Sequence, residues 1–170
     1  PPGGWGWVAG SIVDPTWISG IRFVVPTGYG FLGSVKFTMS RVGDLAGTNF
    51  IAKLYQADDP TAIYDLQQFA PHFTLIATST PVAGSNIPTS EGMVEFTFNQ
   101  NVTIGTGYLI EVVPTDYSGL NSNNTANLYV SGGSYSNEPT QPFAIAINIG
   151  NGNIYEGVGH NNRMAMEVYM

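Results

Sequence analysis

Residues 34–40 read SVKFTMS, and this stretch decides the fold of the chain. Its apolar residues, Val35, Phe37 and Met39, fall on one side of an extended chain, because successive side chains of a strand point to opposite faces. The polar residues between them fall on the other side. The same alternation recurs in residues 92–98, GMVEFTF, and in residues 164–169, MAMEVY. It is typical of strands in antiparallel sheets that have one face on a core.

Further short strands are predicted along the whole chain, separated by turns rich in Gly, Pro and Asn. They cover residues 5–13, 19–25, 49–56, 74–80, 107–113, 126–131, 142–149 and 153–158. The last two form a hairpin with Gly150–Gly152 at its tip. Many short strands with frequent turns in one chain predict an all-β fold: a two-sheet antiparallel β-sandwich, jelly-roll-like.

One segment, residues 57–72, breaks the alternation. Asp59 stands where a helix N-cap is expected, Pro60 suits the first helical position, and Pro71 ends the pattern. We therefore predict one short helix near residues 60–69. The chain shows no internal repeat and no linker, so we expect an N-terminal arm or first strand over 1–17 and a single β-sandwich domain over 18–170.

Composition excludes several classes of partner. The chain has 170 residues, a net charge of −7 and no cysteine. No Lys or Arg occurs between Leu54 and Asn162. Such a chain repels phosphate, so we expect no nucleic-acid binding. No apolar run approaches the roughly 20 residues that span a bilayer, so we expect no membrane insertion. A weakly charged surface rich in hydroxyl and amide groups suits an extracellular or particle-exposed β-protein.

Six pieces of the chain form a recognisable series of strands and turns: AKLY at Ala52–Tyr55, LIATS at Leu75–Ser79, FTF at Phe96–Phe98, GTGYLIEV at Gly105–Val112, the Asn-rich loop Ser118–Asn127 and the last strand Met164–Tyr169. Together they resemble a β-sandwich module that recurs in bacteriophage structural and tail-associated proteins and in bacterial surface proteins. The Trp-rich start and the helix near Pro60 depart from that module. The resemblance implies a display or assembly module, sometimes a carbohydrate-binding one, without catalytic residues.

Three functions follow as hypotheses. The first is a non-enzymatic structural or display subunit of a phage particle (decoration, fibre or capsid-associated) or a similar extracellular assembly. Such a subunit would lie at the virion surface or outside the cell and would bind copies of itself or other particle proteins. The second is a carbohydrate-binding module that uses the loops 116–129 and 131–143. The third is a pilus-like filament subunit that exchanges its N-terminal strand, in which Trp5 and Trp7 fall on one face.

No catalytic signature stands out, so we expect no enzyme and no cofactor beyond a structural Ca²⁺. His72 and His160 lack the spacing of a metal site, and no Gly-x-Ser-x-Gly nucleophile turn occurs. The acids in strands look like solvent-facing residues; they are Glu91, Glu95, Glu111 and Glu167.

The candidate site residues fall into three sets. The carbohydrate hypothesis rests on aromatic rings and amides in loops: Tyr117, Asn121, Asn123, Asn124, Tyr135 and Asn137. The assembly hypothesis rests on the N-terminal segment: Trp5, Trp7 and Val8. A structural Ca²⁺ would take carboxylates from loops poor in basic residues: Asp14, Asp44, Asp58, Asp59 and Asp116.

Overall fold

The computed structural model describes residues 6–12, 17–25, 27–57, 73–132, 143–150, 153–156, 162–164 and 166–169. Side chains are described for Ile12, Val25, residues 27–57 and 74–129, and Tyr169.

The strands are β1 (Gly6–Ile12), β2 (Trp17–Val24), β3 (Phe31–Val42), β4 (Asn49–Ala57), β5 (Phe73–Thr78), β6 (Val82–Ala83), β7 (Gly92–Asn101), β8 (Gly107–Pro114), β9 (Thr125–Gly132), β10 (Phe143–Gly150), β11 (Asn153–Glu156), β12 (Asn162–Met164) and β13 (Met166–Tyr169). A 3₁₀ turn at Gly84–Asn86 follows β6.

These strands form two antiparallel sheets. In sheet 1, β3 lies between β7 on one side and β9 and β13 on the other, and β9 also pairs with β1 and β12. In sheet 2 the order is β11-β10-β2-β8-β4-β5, with β6 also on β4. The predicted hairpin is confirmed, because β10 pairs with β11 from Ile147 opposite Glu156 to Gly150 opposite Asn153.

The eight principal strands follow the jelly-roll order. Sheet 1 contains β1, β9, β3 and β7 in that spatial order, and sheet 2 contains β2, β8, β4 and β5. The chain therefore crosses between the sheets after nearly every strand, which is the double Greek key of a jelly roll. The predicted all-β sandwich is confirmed. The predicted helix near residues 60–69 lies outside the described residues.

The core lies between the two sheets and is built by the alternation seen in the sequence. Val35, Phe37 and Met39 of β3 are each at most 1% exposed. Phe37 meets Phe96 of β7 edge to face, with ring centroids 6.0 Å apart and an interplanar angle of 70°. Sheet 2 contributes residues at every second position of β4 and β8, which are Phe50, Ala52, Leu54, Tyr108, Ile110 and Val112.

Strand β3, from Phe31 to Val42, is the longest of the described strands with 12 residues. The loops 25–30 and 102–106 meet at the Phe31 end, and the loops 43–48, 84–91 and 115–124 meet at the Val42 end. In the part of the chain that the structure describes, no helix is long and apolar enough to cross a bilayer.

Candidate functional sites

Three loops meet at the Val42 end of β3, which we call the asparagine end: residues 43–48, 84–91 and 115–124. The first two are joined by a bond from the Gly84 amide to the Thr48 carbonyl at 2.7 Å. The first and third are joined by a bond from the Asp44 amide to Asn124 Oδ1 at 3.1 Å. Hydrogen bonds between the loops of this end therefore hold them together.

The tip of the asparagine end is a tight turn over Asn121–Asn124. Asn121 Oδ1 accepts hydrogen bonds from the amides of Asn123 at 2.8 Å and Asn124 at 3.2 Å. The backbones of Asn121 and Asn124 also exchange hydrogen bonds in both directions, at 3.0 and 3.1 Å. This is the local side-chain-to-backbone bonding that makes Asn a favoured turn residue.

Gly43 lets the Asn121–Asn124 turn approach β3. Its φ is +72°, a left-handed conformation that costs a residue with a side chain about 1–2 kcal/mol. A Cβ there would lie only 2.1 Å from both the Asn123 carbonyl oxygen and Asn124 Oδ1. No larger residue fits this position without moving the turn.

The described residues of the carbohydrate hypothesis lie at the asparagine end, and most of them already make contacts within the chain. Tyr117 is half-buried and packs against the core, so its ring is only partly open to a sugar face. The side-chain oxygens of Asn121 and Asn124 accept bonds within the chain, whereas Asn123 is exposed at the tip. Tyr135 and Asn137 lie outside the described residues.

Two of the five proposed calcium ligands are described, and each has a local partner. Asp44 Oδ1 accepts a bond from the Ala46 amide at 2.9 Å. Asp116 accepts bonds from the Ser118 amide at 2.9 Å and the Ser118 hydroxyl at 2.6 Å, and these bonds lower the pKa of Asp116. Asp14, Asp58 and Asp59 lie outside the described residues, and within those described no three His, Asp or Glu side chains are grouped as metal ligands.

The N-terminal strand pairs within its own chain. The backbone of Trp7 lies opposite Val130 and that of Val8 opposite Tyr129, both in β9. Trp5 lies outside the described residues. In the single chain, β1 therefore occupies the edge position beside β9 that the strand-exchange hypothesis assigns to a neighbour's strand.

At the Phe31 end of β3 the surface is apolar. Two loops meet there through bonds from Val102 to Gly30 at 3.0 Å and from Gly105 to Val25 at 2.9 Å, backbone to backbone. We call this region the apolar end and define it by Tyr29, Phe31 and Ile104, which are 46, 44 and 51% exposed. Sequence reasoning missed these residues. The signal was that Tyr29 lies between two glycines and Ile104 lies inside a turn, because an apolar residue outside a strand has no sheet to carry it into the core.

A second missed feature lies on the outer face of sheet 2. Glu111 was expected to face solvent, and this expectation was wrong: its side chain is 3% exposed. Its neighbours two positions away on the same face, Leu109 and Val113, are also buried. The signal was present in the β8 sequence GYLIEVVP, since a nearly continuous apolar run indicates a strand buried on both faces.

The buried carboxyl of Glu111 is held by two side chains of the adjacent strand β4. The Tyr55 hydroxyl donates to Glu111 Oε1 at 2.5 Å, and Lys53 Nζ lies 3.7 Å from the same oxygen. Burial raises the pKa of Glu111 above its ordinary value, and it outweighs the opposing influence of Tyr55 and Lys53. Burial and the neighbouring carboxyl likewise raise the pKa of the Tyr55 hydroxyl.

Comparison with known proteins adds no family to this geometry. No protein-family model, no curated protein and no solved structure matches the chain.

Proposed function

We propose that this protein is a non-enzymatic structural or display subunit of a phage particle or a similar extracellular assembly, which self-associates through its apolar end. The observation that carries the proposal is the exposure of Tyr29, Phe31 and Ile104 on adjoining loops. Single exposed apolar side chains are ordinary, whereas a cluster of them on adjacent loops is typical of a contact surface.

The opposite end supports the same arrangement. Within the loops 43–48, 84–91 and 115–124, no large apolar side chain is exposed, although Val42 at the end of β3 is. A surface of polar turns that bond to themselves, with Asp44, Glu91 and Asp116 among them, is suited to facing solvent. One end of the sandwich would then meet a second copy of the chain and the other would be presented outward.

Charge favours a copy of the same chain as the partner at the apolar end. The loops 25–30 and 102–106 contain no Asp, Glu, Lys or Arg, although the whole chain carries a net charge of −7. Two such ends therefore meet without placing like charges opposite each other. Aromatic side chains such as Tyr29 and Phe31 are the anchors that interfaces favour.

Light scattering coupled to size-exclusion chromatography tests the proposal on the full chain over a range of concentrations. We expect a mass above that of the 18.2 kDa monomer. The combined variant Tyr29→Ser, Phe31→Thr and Ile104→Asn is expected to reduce it to the monomer mass. The matched control removes three exposed polar side chains at the asparagine end, Ser85→Ala, Ser122→Ala and Asn123→Ala, and is expected to leave the mass unchanged. A wild-type monomer throughout that range would overturn the proposal.

A further inference from the structure

The buried carboxyl on the outer face of sheet 2 is not used by self-association at the apolar end. We infer that Glu111 is a proton-sensing residue, which couples the packing between β4 and β8 to the acidity of the medium. The inference rests on the position of Glu111, its partners and the strand on its other side.

Glu111 lies at the centre of sheet 2, where each flanking strand presents a different residue. Directly opposite on β4 is Lys53, and directly opposite on β2 is Gly20, which has no side chain. The next pair on the same face of β2 and β8, two positions along, is Arg22 with Leu109. Beside Glu111 on its outer face, the titratable or charged groups from β4 are Lys53 and Tyr55, and the only charged residue of β2 is Arg22.

The carboxyl group is only half satisfied. Tyr55 and Lys53 both approach Oε1, and in the described part of the chain Oε2 has no hydrogen-bond partner. A buried carboxylate needs several donors to repay the loss of water, whereas the neutral acid needs fewer. The surroundings of Glu111 therefore suit the protonated acid better than the ion.

The sign of the effect on stability follows from that preference. In the unfolded chain Glu111 loses its proton near its ordinary pKa of 4.5, while in the folded chain it keeps the proton to higher pH. The folded state therefore binds more protons in the interval between the two pKa values, and its stability falls as pH rises through that interval. Each unit by which folding raises the pKa of Glu111 lowers the folding equilibrium constant about tenfold.

Ionisation of Glu111 would also change the local structure. The charged carboxylate must gain a partner for Oε2 or a closer approach of Lys53, whose ammonium is 3.7 Å away and partly exposed. Either change disturbs the buried row of Leu109, Glu111 and Val113 on the outer face of sheet 2. That face is thus packed most tightly when Glu111 is protonated, and it loosens as the pH rises through the pKa of Glu111.

The direct test is an NMR titration of the glutamate side-chain carboxyl carbons in the full chain. The reference is the same side chain in the chain unfolded in urea, where Glu111 has neither its burial nor its partners Tyr55 and Lys53. We expect Glu111 to titrate at higher pH in the folded chain than in the unfolded chain. The Tyr55→Phe variant, which removes a donor to the carboxylate, is expected to raise the Glu111 midpoint further.

The second readout is urea unfolding of the wild type and Glu111→Gln at a series of pH values. The difference between their urea midpoints is expected to shift as pH rises above 4.5, with the wild type losing stability relative to the variant. A titration midpoint of Glu111 in the folded chain at or below its midpoint in the unfolded chain would overturn the inference, whether or not Glu111→Gln folds.

Discussion

The two ends of this sandwich are built from loops of opposite chemistry. At the asparagine end, the side-chain oxygen of Asn121 accepts amides of its own turn, and that of Asn124 accepts the Asp44 amide and so ties two loops together. At the apolar end, backbone bonds alone join two loops, and Tyr29, Phe31 and Ile104 are left partly open. The difference shows that backbone hydrogen bonds can order a loop whose side chains are apolar. In the polar loops, side chains such as those of Asn121 and Asn124 already accept hydrogen bonds within the chain.

In this protein the polar loops are weaker candidates for a binding surface than the apolar end. Asn-rich loops look like recognition surfaces in a sequence, because amides bind hydroxyl groups well. Here much of that hydrogen-bonding capacity holds the fold together. At the apolar end, by contrast, Tyr29, Phe31 and Ile104 leave about half of their surface open to contact.

The largest expected effect separates two glycines that share a conformation but not an environment. Gly43 at the asparagine end and Gly105 at the apolar end have φ values of +72° and +74°. Only Gly43 has atoms in the way of a Cβ, so we expect Gly43→Ala to destabilise the chain by about 3 kcal/mol or more. Gly105→Ala, with nothing within 4 Å of the added atom, should cost about 1 kcal/mol.

Urea unfolding of both variants measures this difference directly. Equal losses of stability would mean that the Asn121–Asn124 turn moves freely away from Gly43. The asparagine end would then be loosely held, and its contrast with the apolar end would disappear.

A smaller effect is expected from the two side chains at the asparagine end that differ most in burial. Tyr117 packs against the core, so Tyr117→Ala should lower the free energy of unfolding by about 2 kcal/mol. Asn123 is exposed at the tip, so Asn123→Ala should change it by less than about 0.5 kcal/mol. Thermal or urea unfolding of the two variants decides this.

The same pair of variants tests the carbohydrate hypothesis on a glycan array. If the asparagine end is a display surface with a structural tyrosine, no glycan signal should depend on Asn123. If a glycan binds the wild type and not Asn123→Ala, while the stability of the variant is unchanged, the asparagine end would be the glycan-binding site.

The sequence predicts the core and the two-sheet architecture well, because alternation in a strand has a direct physical meaning. Val35, Phe37 and Met39 were placed on the buried face from their spacing alone, and the structure confirms them. The strands of one sheet share an apolar face, and that face must be buried against another apolar face, so two sheets packed face to face are expected. The jelly-roll strand order needs long-range pairings such as β3 with β9, for which local patterns are only indirect guides.

The candidate sites were harder to predict, since a residue's type does not show whether its hydrogen bonds are already used. Asn121 and Asn124 were placed in a loop, but the bond between Asn124 and Asp44 depends on the meeting of two loops 80 residues apart. Glu111 was expected at the surface because of its charge, while the apolar residues around it already indicated a strand buried on both faces.

The most direct test of the central claim uses the absence of native cysteine. One cysteine is introduced next to Ile104 at the apolar end, Thr103→Cys, and another at the asparagine end, Asn123→Cys; both positions are exposed. Under mild oxidation, disulfide-linked dimers are counted on a non-reducing gel. We predict rapid dimer formation through Thr103→Cys and little through Asn123→Cys, whereas equal rates, or faster cross-linking through Asn123→Cys, would contradict self-association through the apolar end.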